Sequence, residues 1–223
     1  MPEKIFKELY EAEASEDDGQ LINNQSITKL FSNTHIQGGI KYITADIARL
    51  GKDKTVVYIW DDFRVIETKE YDISRIDFIV SEIKALQEEY NVNDNNIIVD
   101  EDGVGGGVVD YLKCNGFVNN SVAIKVNGLK DNFASLKDQC YYYLAEKINR
   151  NEIYVSCTEK LEKHLTEELE MVRLPKEIDT SKIRLMSKDE IKKRIGRSPD
   201  YSDALMMRMW FNVNPHKGNY YIY

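Results

Sequence analysis

The run IKYITADIA at 40–48, followed by TVVYIW at 55–60 and RVIETKEYDI at 64–73, decides the fold. All three segments are rich in β-branched and aromatic residues, and the turn-forming stretches LGKDK and DDF separate them. They predict three consecutive antiparallel strands. Alternation along the first puts Tyr42, Thr44 and Asp46 on one face and Ile43, Ala45 and Ile47 on the other. An aspartate on a half-buried face calls for a chemical reason.

Downstream, Ile76, Ile79, Val80, Ile83 and Leu86 recur at spacings of three and four, so Ser74 to Tyr90 predicts an amphipathic helix. NNIIVDEDG reads as a short apolar strand ending in acid at Asp100, and VVDYLKCNG as a helix closed by Gly116. SVAIKV at 121–126 is expected as another buried strand, Asp131 to Asn149 as a long helix, and YVSC as an edge strand. An acidic helix follows around Leu161 to Glu170, then KIRLMS as a further candidate strand. A basic helix or hairpin over Lys188 to Ile195 and a last helix from Tyr201 to Phe211 complete the order. A meander followed by alternating strand and helix implies an α/β fold, with a mixed sheet and helices on both faces. Residues 1–38 read as an N-terminal arm or linker, 39–213 as one domain, and 214–223 as a C-terminal tail.

Composition bounds the function classes. The chain has 223 residues, 42% hydrophobic and 30% charged, which fits a globular domain. No apolar run approaches the roughly 20 residues a membrane span needs, and the acidic start lacks the order of a signal peptide, so no membrane partner is expected and the protein should be soluble and intracellular. Cys114, Cys140 and Cys157 are widely spaced without a CxxC pair, against a disulfide framework or zinc knuckle. His35, His164 and His216 form no paired-ligand pattern, against zinc hydrolysis. The net charge of −8 is unfavourable for nucleic acid, yet the stretch from Lys182 to Arg208 is locally basic. Within it, Lys193 and Arg197, with Lys192 and Arg194 beside them, are candidates to hold a DNA backbone. A solvated helix face accounts for them equally well.

Three aspartates at the ends of separate elements, Asp46, Asp100 and Asp203, are the candidate chemical centre, because gathered carboxylates repel one another unless a cation joins them. Each taken alone has a simpler reading as a cap or turn residue. Asp200 competes with Asp203 as a ligand, or serves as the helix cap. Gly103 to Gly107 follow a strand, but Val108 breaks the GxGxxG pattern and three acids precede it, which argues against a dinucleotide site. The glycines instead suit a close approach of the backbone to metal or DNA. Asp53, Glu101 and Asp102 are candidate outer groups around such a site.

The ordered set YITADIARLGKDKTVVYIW, IIVDEDGVGGGVVDYL and SKDEIKKRIGRSPDYSDALMM resembles the nuclease domain of the large terminase subunit of tailed bacteriophages, over about Lys41 to Trp210. The resemblance implies a ribonuclease H-like fold and a metal-dependent endonuclease that cuts concatemeric double-stranded DNA during genome packaging. It implies two Mg²⁺ or Mn²⁺ ions held by Asp46, Asp100 and Asp203, with Asp46 expected to bridge them. The implied partners are double-stranded DNA, a terminase ATPase domain, the small terminase subunit and the portal. The implied location is the bacterial host cytoplasm and, transiently, the procapsid portal. The chain has no GxxxxGK[ST] phosphate loop, so ATP hydrolysis is not expected of it. Two alternatives stand: another ribonuclease H-like nuclease, such as a junction resolvase or RNA·DNA hybrid cleaver, and a non-catalytic module that docks DNA or the portal.

Overall fold

The computed structural model describes residues 19–48, 53–72, 75–126, 132–174 and 182–214. Helix α1 (Asn24–Leu30) precedes strands β1 (Lys41–Asp46), β2 (Thr55–Asp61) and β3 (Arg64–Tyr71). Then come α2 (Ile76–Tyr90), β4 (Ile97–Asp100), α3 (Gly105–Leu112), β5 (Asn115–Phe117), α4 (Leu136–Asn149), β6 (Tyr154–Val155) and α5 (Glu159–Leu169). Helices α6 (Lys188–Ile195) and α7 (Asp200–Met206) follow, and a 3₁₀ turn leads into the short α8 (Trp210–Val213).

The strands form one mixed sheet in the order β5-β4-β1-β2-β3-β6. The meander predicted from alternation is present, with β1 antiparallel to β2 and β2 antiparallel to β3. Strand β4 instead runs parallel to β1, in a register that pairs Ala45 with Val99. Asp46 and Asp100 come one step after that pair, so parallel pairing brings two carboxylates to the same end of neighbouring strands. That end is where open α/β sheets build their sites.

Both faces of the sheet are covered. Ile43, Ala45, Ile47, Val57, Ile59 and Val99 pack with Ile79, Ile83 and Leu86 of α2 and Val108 of α3. On the opposite face, Val56, Tyr58, Trp60 and Ile98 pack with α4, α5, α7 and α1. Here Thr44 joins two layers: Trp60 Nε1 donates to its hydroxyl at 3.0 Å, and the hydroxyl donates to the Ala204 carbonyl of α7 at 2.7 Å. This bond sets α7 against the face of β1 that carries Asp46.

Within the stretch expected as an arm or linker, Ile22, Ile27 and Leu30 are fully buried in the core beside α4 and α5; residues 1–18 lie outside the described residues. Three expectations need correction. The fifth strand is not SVAIKV: Val122 is 80% exposed, whereas Asn115–Phe117 pairs parallel with β4. Gly116 consequently lies in a strand, and α3 ends at Lys113 in the left-handed region, with φ 53°. KIRLMS contributes an isolated bridge between Phe133 and Ile183, not a strand of the sheet.

The glycine-rich turn has an intramolecular reason. A Cβ on Gly105 would lie 1.6 Å from the Asp100 carbonyl oxygen, so only glycine lets α3 start this close to the end of β4. The close approach is to the chain's own backbone. Gly105→Ala is therefore expected to destabilise the fold by at least about 2 kcal/mol, since the obstacle is a backbone atom that cannot turn away. Urea unfolding measures it, and a change near zero would contradict the close approach.

Candidate metal centre

Four carboxylates meet where β1, β4 and α7 converge. Asp46 ends β1, Asp100 ends β4, and Asp200 and Asp203 occupy the first turn of α7. Asp46, Asp200 and Asp203 are all buried, at 4%, 6% and 5% exposure. No side chain caps α7, so neither Asp200 nor Asp203 is there as a helix cap. Their oxygens are used otherwise.

A pattern runs through the group. Asp203 Oδ1 receives the Lys137 ammonium at 2.7 Å and the Tyr141 hydroxyl at 2.7 Å, while its Oδ2 faces Lys188 Nζ at 3.2 Å. Asp200 Oδ2 accepts the Lys54 backbone N–H at 2.9 Å, and its Oδ1 lies 3.7 Å from Lys188 Nζ. Asp100 Oδ1 accepts the Asp102 N–H at 3.1 Å and the Asn119 amide at 3.2 Å. Asp46 Oδ2 is buried without a hydrogen-bond partner and lies 3.8 Å from Lys188 Nζ. Outer groups thus hold one oxygen each of Asp100, Asp200 and Asp203, and Lys188 faces the other oxygens of Asp200 and Asp203.

Electrostatics follows from this crowding. Burial pushes Asp46 well above the usual carboxylate range; Lys188 pulls it down, while Asp203, Asp100 and Asp200 push it further up. Burial also raises Asp100 and Asp200. Burial would raise Asp203 as well, but the ammonium groups of Lys137 and Lys188 outweigh it and hold the acid at about 2. Burial would lower Lys188, yet Asp46, Asp203 and Asp200 together raise it well above the ordinary lysine value. Its charge is needed where it stands.

The donor set suits a hard divalent cation, because it consists of carboxylates and includes one buried oxygen that accepts no hydrogen bond. Among the described residues, no group of three or more His, Cys, Asp or Glu side chains stands in a finished ligand arrangement. Lys188 supplies the positive charge among these acids. The carboxylates are thus gathered in an ion-paired state, with a monovalent cation belonging to the chain.

The remaining candidates divide. Asp53 pairs with Lys192 at 3.1 Å, and Asp102 holds Asn119 at 2.7 Å beside Asp100. Glu101 turns toward Gly116. Arg197 is committed to structure: its guanidinium pairs with Glu168, donates to the His164 carbonyl at 2.9 Å and meets Glu167 at 3.0 Å. Glu168 is fully buried and accepts the Ser202 N–H at 2.7 Å, so this pair fastens the start of α7 to α5. Burial pushes its carboxyl up to about 8. Lys193 and Arg194 remain exposed on α6. Sequence reasoning counted Lys188 as one basic residue among several and missed its place at the centre. Lys137 and Asn119 carry no sequence signal that would single them out.

Two predictions follow from these contacts. Arg197→Ala leaves Glu168 buried without its partner and is expected to lower stability by about 3 kcal/mol, whereas Lys193→Ala with Arg194→Ala leaves the melting temperature unchanged. Equal melting curves for all would return Arg197 to the surface set. Millimolar Mn²⁺ is expected to raise the melting temperature of the chain, with no rise for Asp46→Asn and a larger one for Lys188→Ala, because the ion binds only the folded state and competes with the ammonium. Indifference of the parent chain to the metal would contradict a metal centre.

No family model matches the chain, and no curated protein matches it. Solved structures do. The nuclease domain of the large terminase subunit gp2 of bacterial virus Sf6 superposes with a TM-score of 0.71 at 20% identity, covering 85% of this chain and 97% of that one. A variant of that domain solved with manganese and beta-thujaplicinol gives 0.72 at 19% identity, covering 85% and 97%. The large terminase nuclease from thermophilic phage G20c gives 0.56 at 15% identity, covering 86% and 98%. The chain has the mixed α/β, ribonuclease H-like fold of the nuclease domains of phage large terminase subunits.

Proposed function

We propose that the chain is a metal-dependent DNA endonuclease domain that cuts concatemeric double-stranded DNA during phage genome packaging. The observation that carries this reading is the convergence of Asp46, Asp100, Asp200 and Asp203 at one end of the sheet. Solved structures of the same fold support it, being described as terminase nucleases, one with manganese and one with bound magnesium.

Asp46, Asp100 and Asp203 would hold Mg²⁺ or Mn²⁺, two ions in the full reading, with Asp200 beside them. Such ions supply a nucleophilic water near neutral pH and relieve charge on the leaving oxygen of a phosphodiester. The chain's residues prepare the site for that chemistry. Lys137 and Tyr141 fix the Asp203 carboxylate, Asn119 fixes Asp100, and burial keeps bulk water from Asp46. Lys188 reaches in with 41% of its side chain still exposed, which places its charge between the acids and an incoming phosphate. In the hydrolysis, water oxygen bonds to phosphorus and gives up a proton, the bond to the leaving oxygen breaks, and that oxygen takes up a proton.

Lys193 and Arg194, with Lys192, lie exposed on α6, the helix that carries Lys188, and would make sequence-independent contacts with a DNA backbone. In the complete machine the domain would work with an ATPase domain, a small subunit and a portal, in the host cytoplasm. No helix among the described residues is long and apolar enough to cross a membrane.

Plasmid nicking in Mn²⁺ tests the proposal. The parent chain is expected to convert supercoiled DNA to open circles and linear product, and Asp100→Asn to lose at least about 100-fold of that rate. Metal-dependent cutting that survives the substitution removes Asp100 from the site. No cutting with any divalent metal favours a docking module.

A further inference from the structure

A cavity of about 440 Å³ opens beside the carboxylate cluster, between the start of α4, the end of α5 and the approach to α6. It lies within the range of small-ligand pockets, roughly 300–1,000 Å³. Its walls are of two kinds. Met171, Val172, Leu185 and Ile191 form an apolar side, whereas Arg184, Lys137, Lys188 and Asn119 bring cations and an amide.

These polar groups are not equivalent. Lys137 and Lys188 are engaged with Asp203, and Asn119 holds Asp100 and Asp102. Arg184 is exposed, and its guanidinium has no hydrogen-bond or ion-pair partner among the described residues. Among the described residues of the wall the one acid is already occupied: Asp138 Oδ2 takes the Ser135 hydroxyl at 2.6 Å and Oδ1 takes the Leu185 N–H at 2.9 Å. The cavity therefore presents an unused planar cation, an apolar wall and a shared border with the acids. A phosphate matches the first and a nucleoside the second. The space is too small for a duplex, which is far wider than one nucleotide.

The geometry points to a pocket for a single nucleotide of the strand being cut, next to the scissile phosphate, with Arg184 holding its phosphate and Met171, Leu185 and Ile191 receiving its sugar and base. This rests on the nuclease reading. Lys137 and Lys188 link the two places, since each lines the cavity and also pairs with Asp203. Drawing one nucleotide out of the stack is easiest at a frayed or distorted step, so the pocket favours such steps over uniform duplex.

Two measurements on the whole chain test this. The first titrates deoxythymidine 3′,5′-bisphosphate in EDTA, by calorimetry, into the parent, Arg184→Ala and Ala134→Phe, the last filling the cavity without touching its cations. Binding is expected in the parent, with affinity at least about 10-fold weaker in both variants. The second measures Mn²⁺-dependent cleavage of a duplex oligonucleotide: Arg184→Ala is expected to raise KM about 10-fold with kcat within about twofold. No binding by the parent, or equal binding by all three, overturns the pocket. Cutting with an unchanged KM in Arg184→Ala overturns its place on the cleaved strand while the nuclease reading stands. Bisphosphate binding by a parent chain that cuts no DNA removes the nuclease reading instead, and with it the strand assignment.

Discussion

Four carboxylates cannot share a dry corner without positive charge among them, and much of this molecule is arranged around that constraint. Parallel pairing of β1 with β4 supplies two of the acids side by side, and the Thr44 bond to Ala204 brings α7 with the other two. Lys188 and Lys137 then balance them. The Lys188 charge is shared out, lying between 3.2 and 3.8 Å from Asp203, Asp200 and Asp46, while Lys137 serves Asp203. A group held this way by a flexible ammonium can exchange it for a cation of higher charge without rebuilding its outer contacts.

The supports of α7 matter as much as the acids. Its first turn is tied to α5 by Glu168 and Arg197, to α4 by Tyr141, and to the loop before β2 by the Lys54 N–H. A displacement of α7 would change the spacing of Asp200 and Asp203 relative to the strands together. The buried pair of Glu168 and Arg197 therefore acts on the centre through position, since neither side chain is among the groups facing Lys188.

Much of this was legible in the sequence, for identifiable reasons. Alternation in Tyr42, Thr44 and Asp46 exposed β1 and its odd acid, and the apolar stripe of Ile79, Ile83 and Leu86 exposed α2. What failed was whatever depends on partners distant along the chain. Asn115–Phe117 is three residues long and holds a glycine, so it has no strand signature, while SVAIKV has the composition of a strand and no neighbour to pair with in the sheet. Arg197 read as a DNA contact because its partner Glu168 is hidden in a helix whose other acids are solvated. Lys188 could not be told from Lys192 or Lys193, since only the tertiary fold turns one of them toward the acids. That acids gather at the strand ends was readable because aspartate is depleted in strands, so one there stands out.

The two outermost strands have a consequence for assembly. Strand β5 has three residues and β6 two, and β6 pairs only with Arg64 and Val65 of the eight-residue β3. Among the described residues, 66–71 of β3 therefore have no outer strand beside them. Glu67, Lys69 and Glu70 on this stretch put charge along the open edge, which disfavours extension by the strand of another chain. A protein that docks at this flank meets those side chains before it meets the backbone ladder.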